Sequence, residues 1–175
     1  MEIQPSTPKS LMERCRAIRW IILDVDGVLT DGDITYFAAD GEQAEIKAFH
    51  VRDGSGLKLW HHAGLRSAII TGRSSPIVAR RAGELGVSRV FQGAADKMPP
   101  LSSLTKEYDI DASAICYVGD DEPDVPLLNR VGLAVAVADA CPSARAAAHY
   151  VTTARGGRGA VRETIERILR CQGKM

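Results

Sequence analysis

The 175-residue chain has no net charge, no paired-cysteine motif and no apolar run long enough to cross a bilayer. Its 22 Lys and Arg balance 22 Asp and Glu, so the basic footprint of a nucleic-acid binder is missing. Near-neutrality also removes one barrier to self-association. The four cysteines, at 15, 116, 141 and 171, are widely spaced and include no Cys-x-x-Cys. They read as reduced thiols, with Cys116 packed inside a strand. The first 17 residues, with Pro5, Pro8 and Arg14, lack the apolar core of a signal peptide. The expectation is a cytoplasmic protein whose partners include no nucleic acid and no membrane. Internal repeats and low-complexity segments are also absent. The chain is near the usual size of one domain and long enough to bury a sizeable core.

What is present begins at residues 20–30, where Trp-Ile-Ile-Leu runs into Asp24-Val-Asp26-Gly27-Val-Leu-Thr30. A short apolar run bounded by glycine reads as a buried strand ending in a loop. Two carboxylates two residues apart at such an end can turn toward one site. Burying both is costly unless a cation neutralises them, and Mg²⁺ suits carboxylate oxygens. Three later segments repeat the pattern of an apolar run ending in chemistry. Ser67–Ile70 leads to Thr71-Gly72-Arg73, Val90–Gly93 leads to Lys97, and Ala114–Val118 leads to Gly119-Asp120-Asp121-Glu122-Pro123-Asp124. Taken singly these read as a turn, a helix start and a helix cap. Together they place two acidic clusters, a hydroxyl and a lysine at the carboxyl ends of strands, where open parallel sheets bind ligands.

Strands are expected near 20–24, 66–71, 88–92, 114–118, 133–137 and 149–152, and helices near 54–63, 75–86, 97–109, 122–130, 142–148 and 158–171. This alternation predicts an α/β fold, Rossmann-like, with a parallel sheet covered by helices on both faces. Ser75 and Pro76 predict a capped helix start. Between the first two strands, residues 33–49 read as an inserted β-hairpin turning at Asp40-Gly41. The expected organisation is an N-terminal extension at 1–18 and one domain at 19–175, with a glycine-rich segment at 155–162.

These four motifs resemble those of the haloacid dehalogenase superfamily. The resemblance implies Asp24 as the nucleophile that forms an aspartyl-phosphate, and Asp26 as general acid and then base. It implies that Thr71, Gly72 and Lys97 bind phosphate. Mg²⁺ would be held by Asp24, the Asp26 carbonyl and Asp120, with Asp121 and Asp124 in supporting positions. One departure is visible: Pro123 stands where members of the family often carry Asn. Proline is acceptable at a helix start, so Asp124 is expected to keep its place.

The superfamily inserts substrate-selecting cap domains between its first motifs, and this chain has no room for one. Residues 46–54 (Ile-Lys-Ala-Phe-His-Val-Arg-Asp-Gly) and 156–163 (Gly-Gly-Arg-Gly-Ala-Val-Arg-Glu) are similar to the capless sugar-acid phosphatases of that superfamily. The resemblance implies a homotetramer built through the hairpins, with Ile34, Tyr36, Ile46 and Phe49 on its apolar faces. It implies a glycine-rich segment reaching a neighbour's site. It also implies contacts to a sugar-acid phosphate from Asp26, His50, Val51, Arg52, Asp53, Gly54, Arg73, Arg81, Lys97 and Arg158. Arginine suits a carboxylate through its planar fork. The same residues allow plainer readings: Arg80 and Arg81 as one solvated helix face, Gly156-Gly157 as a flexible link, and His50 as a residue without a ligand. Three functions compete: a phosphatase for an eight-carbon octulosonate 8-phosphate in lipopolysaccharide sugar synthesis, one for a nine-carbon nonulosonate 9-phosphate, and a catalytically silent tetramerisation module.

Overall fold

Trp20–Leu23, four residues with no polar side chain, form the central strand β1 and are buried along their whole length. The computed structural model describes residues 9–39 and 42–175. It places Leu11–Ala17 in helix α1, Thr35–Ala39 and Glu42–Ile46 in strands β2 and β3, and Val51–His62 in α2. Strand β4 (Arg66–Ile70), α3 (Pro76–Leu85), β5 (Arg89–Phe91) and α4 (Met98–Glu107) follow. Strand β6 (Ile115–Gly119), α5 (Val125–Leu128), β7 (Leu133–Ala136), α6 (Pro142–Ala147), β8 (Tyr150–Val151) and α7 (Ala160–Cys171) complete the chain. The six-stranded sheet is parallel throughout, in the order β5-β4-β1-β6-β7-β8. Chain order reverses on either side of β1, so a crevice opens beyond its carboxyl end.

Strands buried on both faces need apolar residues at every position, and β1, β6 and β7 have them. Helix α7 buries Val161, Thr164, Ile165, Ile168 and Leu169, the spacing of one helical stripe. Each fully buried Leu or Ile contributes about 1.5–3 kcal/mol relative to exposure. The expected α/β architecture, the hairpin after β1 and the lack of an inserted cap are all observed. The hairpin turn expected at Asp40-Gly41 lies outside the described residues.

The structure differs from expectation in local places. Residues 11–17, assigned no element from sequence, form α1, started by a reciprocal Ser10–Glu13 capping box. The helix expected at 54–63 begins three residues earlier. The helix expected at 122–130 is a 3-10 turn at Glu122–Asp124 followed by one turn of α-helix. Pro123 and Pro126 lack the N–H groups that a continuous helix there would use. Ser75 occupies the cap position of α3, but its hydroxyl caps nothing; it donates to Glu45 Oε2 at 2.5 Å, across to the hairpin.

Candidate active site

Four strand ends converge beyond β1. Asp24 follows β1 directly and is buried, its N–H tied to the Val118 carbonyl of β6 (3.1 Å). Thr71 follows β4, also buried, with its N–H on the Phe91 carbonyl of β5. Asp120 and Asp121 follow β6. Lys97 sits at the start of α4 and is buried, its Nζ 3.1 Å from Asp24 Oδ2 and 2.6 Å from Asp124 Oδ1. The nine sequence-predicted residues Asp24, Asp26, Thr71, Gly72, Arg73, Lys97, Asp120, Asp121 and Asp124 all line one cavity of about 450 Å³.

Two of its carboxylates are incompletely bonded. Asp24 Oδ1 and Asp120 Oδ1 are buried and accept no hydrogen bond among the described residues. Asp124 is the opposite case. Its Oδ1 accepts from Lys97 and from the Tyr117 hydroxyl (2.5 Å), and its Oδ2 from the N–H groups of Asp120 (2.8 Å) and Asp121 (3.2 Å). Oxygens of Asp24, Asp120 and Asp124 lie within 4.8 Å of one another. Burial pushes the Asp24 carboxyl up to about 6 against the pull of Lys97, with the Asp124 charge adding to the rise. Burial, then the charges of Asp24 and Asp124, push Asp120 up to about 8. An all-oxygen donor set with two unsatisfied acceptors and mutual repulsion fits a hard divalent cation. Gly27 makes room for the Asp120 carboxylate: φ is +88°, and a Cβ there would stand 2.1 Å from Asp120 Oδ2.

At the open side, Asp26 Oδ1 is ion-paired with Lys47 and Oδ2 lies 3.7 Å from Arg73 Nε. Glu45 accepts from Arg73 (3.1 Å) and from Ser75. Lys47, Glu45, Ser75 and Tyr117 are site residues that sequence reasoning missed. The alternation of β3 was the available signal, since it sets Glu45 and Lys47 on one side and Ile46 on the other.

The remaining expected substrate contacts are not in this cavity. Asp53 is buried, and both its oxygens are taken by α7: Oδ2 accepts from Gly159 N–H (3.0 Å) and Oδ1 from Arg162 N–H (2.8 Å). Gly54 packs against Arg81, with no space for a Cβ beside the guanidinium. His50 precedes α2, its Nδ1 3.8 Å from Asp53. Val51 and Arg81, with Lys47, line a separate cavity of about 360 Å³, while Arg52 and Arg158 line a third. Arg81 also lies over the Phe49 ring, so Phe49 packs inward rather than on the exposed hairpin face. Within the chain the glycine-rich segment is neither a loose link nor extended away. Gly156 and Gly157 are buried against Gly27–Asp31, so closely that a Cβ at Gly156 would stand 1.7 Å from the Gly27 carbonyl oxygen. Arg158 pairs with Asp31 at 2.8 Å.

Residues 84–163 match the family model of haloacid dehalogenase-like hydrolases. The chain is 45% identical over 165 residues to the 3-deoxy-D-manno-octulosonate 8-phosphate phosphatase KdsC of Escherichia coli (strain B / BL21-DE3), covering 94% of this chain and 86% of that one. The chain belongs to the haloacid dehalogenase-like hydrolases. Among solved structures of this family, the 3-deoxy-D-manno-octulosonate 8-phosphate phosphatase of Moraxella catarrhalis, in complex with magnesium ion, phosphate ion and KDO, superposes with a TM-score of 0.88. It is 44% identical, over 93% of this chain and 91% of that one. The Yersinia pestis enzyme of the same name gives a TM-score of 0.89 at 43% identity, over 94% and 87%.

Proposed function

We propose that this chain is a Mg²⁺-dependent phosphatase that hydrolyses 3-deoxy-D-manno-octulosonate 8-phosphate to the free sugar acid and phosphate, in lipopolysaccharide sugar biosynthesis. The observation that carries the chemistry is the buried Asp24, one oxygen facing Lys97 and the other without a hydrogen bond, beside the equally unsatisfied Asp120. The kinship to phosphatases of that name carries the substrate.

Asp24, Asp120 and the Asp26 carbonyl are the groups assigned to hold Mg²⁺, with Asp124 anchoring the Asp120–Asp121 backbone from behind and Asp121 assigned to the outer shell. When bound, Mg²⁺ supplies positive charge against the phosphoryl oxygens and lets an anionic nucleophile approach an anionic ester. Lys97 and Thr71 take the remaining oxygens, with Gly72 closing the turn that holds them. Lys97 is held in place by Asp124, so its position is set before substrate arrives. Asp24 attacks phosphorus while Asp26 delivers a proton to the departing sugar oxygen. The aspartyl-phosphate is then hydrolysed by water whose proton returns to Asp26, and Asp24 is regenerated. Arg73, next to Asp26 in the same cavity, is assigned to the sugar carboxylate, and Arg81, on the neighbouring cavity, to the far end of the sugar acid.

Assembly as a homotetramer and a cytoplasmic location belong to the same reading. Supporting assembly, Ile34, Tyr36, Phe37 and Ile46 are 48–63% exposed on one hairpin. Supporting the location, no helix among the described residues is long and apolar enough to cross a membrane. The test is phosphate release from a panel of sugar-acid phosphates with Mg²⁺. The eight-carbon 8-phosphate should give the highest kcat/KM. Preference for a nine-carbon 9-phosphate would replace the substrate, and no release from any ester, aryl phosphates included, would leave the silent tetramerisation module.

A further inference from the structure

Lys47 is a buried cation that the chemistry above leaves unused. Its side chain is 1% exposed, although it comes from the end of a hairpin whose apolar residues face outward. A buried lysine is costly unless paired. Its partners are Asp26 Oδ1, in direct ion pair, and Glu45 Oε1 at 3.4 Å. The other Asp26 oxygen faces Arg73, and Glu45 is itself held by Arg73 and Ser75. The carboxylate at 26 is thus held at one oxygen by the hairpin, while its other oxygen faces a cation from the turn after β4 at 3.7 Å. Lys97 stands on Asp24 in the same way from the opposite wall. Each of the two carboxylates faces a buried lysine, Asp24 one from the start of α4 and Asp26 one from the end of the hairpin.

We propose that Lys47 is a positioning residue for Asp26: it aims that carboxyl group at the leaving-group oxygen and faces the charge that develops there. The inference rests on the role given to Asp26 above. In that step the Asp24–phosphorus bond forms and the phosphorus–oxygen bond to the sugar breaks. The proton of Asp26 moves to the released oxygen, which leaves as a neutral alcohol, and Asp26 is left as a carboxylate against the Lys47 ammonium. An interaction that strengthens as charge develops lowers the barrier of that step. The hairpin then has two working faces. Ile46 points out, and Glu45 and Lys47 point into the chain's own site.

The test compares kcat/KM of full-length Lys47→Met for the sugar phosphate and for 2,4-dinitrophenyl phosphate, whose phenolate leaves without a proton. This ratio reports events only up to departure of the leaving group, so the later hydrolysis of the aspartyl-phosphate does not enter. A loss of about 100-fold is expected with the sugar phosphate, exceeding the loss with the aryl ester by at least about tenfold. Lys47→Arg, which keeps the charge in a displaced fork, should show a smaller loss with the same selectivity, and it carries the test if Lys47→Met does not fold. Equal losses on both esters, or none, overturn the proposal. Asp26→Asn in the same assay separates the two layers. If it shows the selective loss and the Lys47 variants do not, only the role of Lys47 fails; if it shows none, the reading of Asp26 fails and the role of Lys47 with it.

Discussion

Asp53 and the pair Asp24/Asp120 are carboxylates at least partly buried, with opposite fates. Burial raises the carboxyl pKa of all three. Asp53 accepts two backbone N–H bonds from the start of α7, whereas Asp24 and Asp120 each retain a buried oxygen to which no described residue donates. The first arrangement closes a helix onto the fold. The second stores repulsion that a cation relieves. Between Asp53 and the Asp24/Asp120 pair, the difference lies in whether the acceptors are satisfied.

The strongest way to break that comparison is at Asp24. Asp24→Asn should lower kcat by about 10⁴-fold or more, since nucleophile and metal ligand go together, without loss of Tm in Mg²⁺-free protein. Residual activity within tenfold of the parent would remove the covalent route. Next in size is metal binding. Asp120→Ala should weaken Mg²⁺ by at least about 100-fold in calorimetric titration, and Asp121→Ala by about tenfold or less. Equal losses would mean that the inner and outer assignments are wrong. At Asp53 the expected effect is on stability. Asp53→Ala leaves two partly buried N–H groups without their acceptor and should cost about 1–3 kcal/mol in urea unfolding. A raised KM with unchanged stability would instead return Asp53 to the substrate.

The smallest effect concerns pH. A carboxyl whose folded pKa is raised holds its proton more tightly folded than unfolded. The stability it contributes is complete below the unfolded value of about 3.9 and is lost as pH rises through the folded one. With Asp24 near 6 and Asp120 near 8, Mg²⁺-free protein should lose Tm from about pH 4 to 8 and level off above that. Saturating Mg²⁺ should flatten that slope, because the cation takes the place of the protons. A Tm that rises over the same range without Mg²⁺ would contradict the clustering of these charges.

The motifs themselves were legible without a structure. Asp24, Thr71, Lys97 and Asp120 each follow an apolar run, and a parallel sheet brings such ends to one edge whatever else the chain does. Asp124 kept its place despite Pro123, as a helix start permits. Less was legible where function depends on partners distant in sequence. The segment around Asp53 and Gly54 matches a family motif and reads as a contact to substrate, yet Asp53 serves Arg162, 109 residues away. Ser75 reads as a helix cap, yet it bonds to Glu45, 30 residues back.

Strand and helix periodicity, the order of the four motifs and the lack of room for a cap are local properties, and the chain alone determined them. Which acceptors are satisfied, that Lys47 and Glu45 turn inward to Asp26 and Arg73, and that Gly156 and Gly157 lie against Gly27–Asp31 were decided only by the tertiary structure. The reason is physical: a hydrogen bond or a close backbone approach is a relation between two segments, and residue types spaced along one segment do not specify what the other brings to it.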